Sequence, residues 1–114
     1  MKVLVCGGSR YGDEKALFAR LDAIHAERPI TLVINGGARG ADLLSSRWAR
    51  SRGVTLQVFH ADRRQQGDGA FFALNARMLA ETCPDLVLAF PSGAVTADLV
   101  RRAEALAIPV VRCR

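Results

Sequence analysis

Three short stretches of this 114-residue chain combine the residue types that hold a phosphate. They are Gly7-Gly-Ser-Arg-Tyr-Gly-Asp13, Gly36-Gly-Ala-Arg-Gly-Ala-Asp42 and Pro91-Ser-Gly-Ala-Val-Thr-Ala-Asp98. Glycine lets a backbone N–H approach an anion closely, hydroxyls donate to its oxygens, and arginine offers a planar fork of donors. The candidate ligand- and phosphate-binding residues are Gly7, Gly8, Ser9 and Arg10 in the first stretch and Gly36, Gly37, Arg39, Gly40 and Asp42 in the second. The third supplies Pro91, Ser92, Gly93 and Thr96. The backbone N–H groups at Gly8–Ser9 and Gly37–Gly40 are expected to take the phosphate, with Arg39 and Arg10 neutralising it. Ser92, Gly93 and Thr96 would line the opposite wall.

Other chemistries find less support. The acids and histidines do not group at ligand spacing, so no metal site is expected. Ser9 and Ser92 lie outside any G-x-S-x-G pattern and have no histidine placed as their base. Neither a Walker pattern nor G-x-G-x-x-G is present, which argues against a P-loop NTPase or a NAD dehydrogenase, and no cofactor is expected. Cys6, Cys83 and Cys113 form no C-x-x-C pair and read as reduced, buried thiols of a cytoplasmic protein. The first apolar run, Val3 to Cys6, is too short for a signal-peptide core, and no run approaches a membrane span. A net charge of +5 permits an acidic partner, but the 14 arginines and 2 lysines are scattered rather than striped.

The elements that must position these loops follow from hydrophobic pattern. Residues 2–6, 31–35, 54–59, 85–90 and 109–113 are apolar, β-branched runs of strand type. Between them lie helical patterns: one capped by Asp13 with Leu17, Leu21 and Ile24 inward, and one from Gly40 to Ser51 with Ala41, Leu44 and Trp48 inward, stopped by Gly53. A third runs from Ala70 to Glu81, with Asn75 and Arg77 read as its solvated members. A fourth follows Asp98 with Leu99, Ala103 and Leu106 inward and Arg101 and Arg102 outward. The polar stretch 60–69 reads as a lid or binding loop, or simply as a mobile connection. Alternating strands and helices, with strands apolar throughout, predict one Rossmann-like α/β domain over 1–114. Its five-stranded parallel sheet has the order 3-2-1-4-5, with helices on both faces. The three loops then leave the same edge, at the crevice where the chain reverses direction.

At these loops the sequence resembles the SLOG superfamily, which unites DNA-processing protein A (Smf) with the LOG phosphoribohydrolases, and is most similar to the small stand-alone YspA-like proteins. Gly36-Gly-Ala-Arg-Gly-Ala-Asp42 is similar to the G-x-A-R-G-[IA]-D signature of the Smf branch. Phe90-Pro-Ser-Gly-Ala-Val-Thr-Ala-Asp98 lies where LOG proteins carry P-G-G-x-G-T-x-E-E, and Val3-Leu-Val-Cys-Gly-Gly-Ser-Arg10 fits the YspA-like opening. Ser92 and Val95 replace two glycines of the LOG pattern, Asp98 takes the first glutamate position and Leu99 the second. The carboxylate pair is therefore incomplete, and the resemblance implies binding of a nucleotide-derived molecule more than it implies a reaction.

The leading expectation is a binding module or sensor for a ribonucleotide, ADP-ribose or NAD-related ligand. The alternative is a LOG-like phosphoribohydrolase that cleaves the N-glycosidic bond of a nucleoside monophosphate, with Asp98 as its catalytic carboxylate. A further alternative is an Smf-like DNA-binding protein, which the basic charge and the A-R-G-A-D motif favour and the lack of clustered cations disfavours. A homo-oligomer is expected from the wide apolar face at Phe71, Phe72 and Met78, and no membrane partner is expected.

Overall fold

A computed structural model describes residues 1–62, 64, 67–91 and 93–114, with Asp68 described by its backbone alone. The strands are β1 (Lys2–Cys6), β2 (Leu32–Asn35), β3 (Thr55–Val58), β4 (Leu86–Ala89) and β5 (Val110–Arg112). The helices are α1 (Glu14–Glu27), α2 (Ala41–Arg52), α3 (Asp68–Thr82) and α4 (Ala94–Ala105). The five strands form one sheet in the order β3-β2-β1-β4-β5, every pair parallel. This is the Rossmann-like order expected from the sequence.

The period-2 alternation of β1 explains why both faces are covered. Val3 and Val5 pack with Leu17, Leu21, Leu44 and Trp48 of α1 and α2. Leu4 and Cys6 pack with Leu74, Met78, Leu99 and Ala103 of α3 and α4. Val3, Leu4 and Val5 are at most 1% exposed, and each such side chain contributes about 1.5–3 kcal/mol by leaving water. Trp48 is core, as its spacing required, and its indole N–H donates to Asp22 Oδ1 at 2.8 Å. A buried indole needs such a partner. His25, at the rim of α1, stands edge-on to Trp48 and accepts from the Ile30 N–H at 2.9 Å.

Five expectations change. The helix placed after Asp98 begins at Ala94, because only Pro91 to Gly93 interrupt the chain. Thr96, Leu99, Val100 and Ala103 then form one buried stripe, while Leu106 is 59% exposed at the C-terminal cap. Asn75 is not solvated but 4% exposed, since it falls on the inward face of α3 with Leu74 and Met78. Met78 is 3% exposed and belongs to the core, which removes it from the face read as an oligomer surface. Cys6 and Cys113 are buried thiols, but Cys83 is exposed. No helix among the described residues is long and apolar enough to cross a membrane.

Candidate functional site

β1 and β4 are neighbours in the sheet whose crossovers run to opposite faces, so their carboxyl ends, paired at Cys6 and Ala89, open onto a crevice. The loops around it interlock through close backbone approaches. A β-carbon on Gly7 would lie 2.7 Å from that of Ala41 and 2.9 Å from that of Phe90, so nothing larger than glycine fits there. Gly40 has φ +73°, and a β-carbon on it would overlap the Gly8 carbonyl oxygen. The Gly8 N–H donates to the Pro91 carbonyl at 2.9 Å, tying the first loop to the third.

These approaches leave a cleft of about 740 Å³. Residues Gly7 to Asp13 form one wall, Pro91 and Gly93 to Thr96 the other, and Ala38 and Phe71 close the side. The donors are concentrated at two places. Gly93 is the N-cap of α4, no side chain among the described residues caps the helix there, and the first bond of its opening turn is Ala97 N–H to the Gly93 carbonyl. Among the described residues the N–H groups of Ala94, Val95 and Thr96 find no acceptor, at the positive end of a helix of 12 residues. Across from them, no hydrogen bond among the described residues uses the N–H of Ser9 or Arg10. Arg10 is exposed and is the one cation in the cleft lining, again among the described residues. Asp13 is the lining carboxylate, and its Oδ1 accepts from the Ala16 N–H at 3.0 Å as the cap of α1.

The second glycine loop is turned inward instead. Asp42 is 7% exposed, and its Oδ2 accepts the N–H groups of Gly36 at 3.1 Å and Ala38 at 3.2 Å. Asn35, fully buried, accepts the Gly37 N–H at 2.9 Å. Its amide nitrogen faces the Asp42 carbonyl and the hydroxyls of Ser45 and Ser46 at 2.9–3.0 Å. Of the Gly37–Gly40 donors expected to hold a phosphate, those of Gly37 and Ala38 are therefore spent on the loop itself. Gly36 and Asp42 border a separate cavity of about 60 Å³ behind the cleft, and neither Gly37, Arg39 nor Gly40 lines the cleft. Burial pushes the Asp42 carboxyl up to about 6, although the Ala38 and Gly36 N–H groups pull it down. Cys6, beneath, has its thiol raised by burial first, then by Asp42 and Cys113, which suits a packed hydrophobe rather than a nucleophile.

Of the sequence candidates, the cleft brings together Gly7, Gly8, Ser9, Arg10, Pro91, Gly93 and Thr96. Ser92 lies outside the described residues, as do Arg63, Gln65 and Gln66 of the 60–69 loop. Asp98 does not line the cleft. Its Oδ2 accepts from Asn75 at 3.0 Å and from Arg102 at 2.8 Å, and Arg101 lies 3.6 Å from its Oδ1. Burial alone would raise this carboxyl, but Asn75, Arg102 and Arg101 together hold it below the ordinary carboxylate range. Leu99, at the second acidic position, is 1% exposed. No group of three or more His, Cys, Asp or Glu side chains comes together among the described residues.

Sequence reasoning missed two aromatic contributors to the lining. Tyr11 packs on Phe90 with ring centroids 5.0 Å apart and donates to the Arg114 carbonyl at 3.3 Å. Phe71, read as an oligomer contact, reaches the cleft because it heads the inward face of α3. For Tyr11 the signal is an aromatic side chain within the first glycine loop; for Phe71 the sequence carries none without the sheet.

A parallel sheet with this order and a glycine-bordered cleft at its reversal point defines a Rossmann-like class of α/β protein. Within that class, the chain belongs to the YspA, cpYpsA-related SLOG family, whose model matches residues 1–65 and so includes the first two glycine loops. It is also similar to the Gene 61 protein of Mycobacterium phage D29, with 34% identity over 118 residues, covering 96% of this chain and 94% of that protein.

Proposed function

We propose that the chain, acting as one domain over 1–114, binds a phosphate-bearing, nucleotide-derived small molecule in the cleft, as a sensor or binding module. The observation that carries this is the pairing of the N-terminus of α4 with the Ser9–Arg10 segment across a cleft of about 740 Å³. A phosphate between them meets fixed N–H donors, a helix dipole of the right sign and one guanidinium. The remaining volume is of the size that encloses a small organic ligand, and membership of a SLOG family supports a nucleotide-related one.

Cleavage of a glycosidic bond is the weaker reading, because Asp98 is engaged by Asn75 and Arg102 and does not border the cleft. One arginine in the cleft lining among the described residues also suits one phosphate group better than the backbone of a nucleic-acid strand. The test is a thermal-shift screen over nucleoside monophosphates, ADP-ribose, NAD and sugar phosphates. A binder at a hundredfold over its Kd should add roughly 2.7 kcal/mol to stability. A screen in which none of these compounds raises the Tm rejects the proposal.

A further inference from the structure

Phe71 occupies a position that packing alone does not explain. Phe71, Leu74, Asn75 and Met78 stand at helical spacing i, i+3, i+4 and i+7 and border the same small cavity, so all four lie on the inward face of α3. Leu74, Asn75 and Met78 are 3–4% exposed, whereas Phe71 is 41% exposed. The stripe runs past the sheet edge, and its first member overhangs the cleft. Phe71 is one of three large hydrophobics with such exposure among the described residues, and the one of the three that lines the cleft.

The surroundings of that ring are mainly apolar: Thr96 shares the cleft lining, while Asn75 and Asp42, which border the small cavity with it, are engaged within the protein. Ala38, Ala94 and Val95 line the cleft with it, and no asparagine, glutamine or lysine does so among the described residues. The donors lie instead at Ser9, Arg10 and the start of α4, where they suit a phosphate. The polar groups near the aromatics are committed elsewhere: Tyr11 donates to the Arg114 carbonyl, and Asp13 caps α1.

We infer that Phe71 is the stacking platform for the base of the bound nucleotide, and that the ligand class is a purine nucleotide recognised by its ring face rather than its edge. The inference rests on the phosphate site proposed above. A half-exposed aromatic ring gains by covering itself with a flat π-system, and a purine offers more area than a pyrimidine. With few edge-reading groups beside it, the cleft should rank purines above pyrimidines and separate adenine from guanine poorly.

The experiment is calorimetric titration of the full chain with AMP, GMP, CMP and ribose 5-phosphate, repeated on Phe71→Ala and Phe71→Tyr. AMP and GMP should bind within a few-fold of each other and above CMP. Phe71→Ala should weaken AMP by roughly 5- to 100-fold, the range of one base on one aromatic ring. It should leave ribose 5-phosphate unchanged, and Phe71→Tyr should restore AMP binding. If ribose 5-phosphate binds as tightly as AMP, or if Phe71→Ala leaves AMP unaffected, the stacking role fails while the phosphate site stands. Equal loss of AMP and ribose 5-phosphate in Phe71→Ala also overturns it, since that marks collapse of the cleft. Binding of none of the four by the unaltered chain overturns both readings.

Discussion

The Asn75 side chain donates to Asp98 Oδ2 at 3.0 Å and to the Val95 carbonyl at 2.9 Å, joining α3 to the first turn of α4. The backbone that presents the cleft's donors is thereby fixed from behind by a residue that never reaches the ligand space. Arg102 supplies the second support of the same carboxylate at 2.8 Å. Removing the amide leaves a buried carbonyl and weakens the hold on a buried carboxylate. Asn75→Ala should therefore cost about 1–3 kcal/mol of stability, measured as a shift in urea midpoint at constant m. A loss below about 0.5 kcal/mol, the level of an ordinary surface change, contradicts this role.

The two arginines of the glycine loops should separate in binding. Arg10 lines the cleft and Arg39 does not. Arg10→Ala should weaken AMP by about 1.5–3 kcal/mol, the scale of a charged hydrogen bond, and Arg10→Lys should recover only part because an ammonium lacks the fork. Arg39→Ala should change little. Calorimetry on the three variants decides this, and a larger loss at Arg39 would return the second loop to the site.

Asp42 sets a pH dependence of unusual sign. Its folded carboxyl titrates near 6, above its unfolded value of about 3.9. Between those values the folded chain keeps a proton that the unfolded chain has released, so its contribution to stability falls as pH rises across the window. The loss that Asp98 contributes lies lower, because its carboxyl is held down and gives way only as pH falls below the ordinary range. Comparing urea unfolding of the unaltered chain and Asp42→Asn from about pH 4 to 7 isolates the Asp42 effect. The stability difference should move by roughly 2–3 kcal/mol against the unaltered chain, and a pH-independent difference would exclude it.

Gly40 and Gly12 offer a contrast in loop chemistry. Gly40 needs a left-handed backbone and has no room for a β-carbon, while open space surrounds Gly12. Gly40→Ala should destabilise by about 2–4 kcal/mol, from backbone strain plus overlap with the Gly8 carbonyl. Gly12→Ala should stay within about 0.5 kcal/mol. Equal effects in thermal unfolding would mean that the first and second loops do not interlock.

The sheet was readable because each strand is a short apolar run closed by glycine, proline or a polar residue. Its order followed from the alternation of strands with helices. The loops were readable by composition, but their facing was not. Arg10 and Arg39 have similar neighbours in sequence, and only the backbone turn at Gly40 separates the one that borders the cleft from the one that does not. Asp42 looked like a ligand contact because a carboxylate that caps its own loop has the same sequence signature as one that meets a ligand. Asn75 and Phe71 were out of reach for another reason. Their roles depend on where α3, which starts at Asp68, lands on the sheet, and the polar residues that lead into it do not encode the landing point. The start of α4 was set too late because small residues after a proline read as loop, although Ala94 to Ala97 carry the helical spacing that Leu99 and Ala103 continue.

The central claim is that a nucleotide's phosphate sits between the Ser9–Arg10 segment and the start of α4. Amide chemical shifts followed during titration of isotopically labelled protein with AMP test it at the atoms concerned. Saturable shifts are expected on Ser9, Arg10, Ala94, Val95 and Thr96, with Gly37 and Ala38 little moved because Asn35 and Asp42 hold their N–H groups. Saturable shifts that spare Ser9, Arg10 and the first turn of α4 while moving Gly37, Ala38 or the outer face of α2 would contradict it.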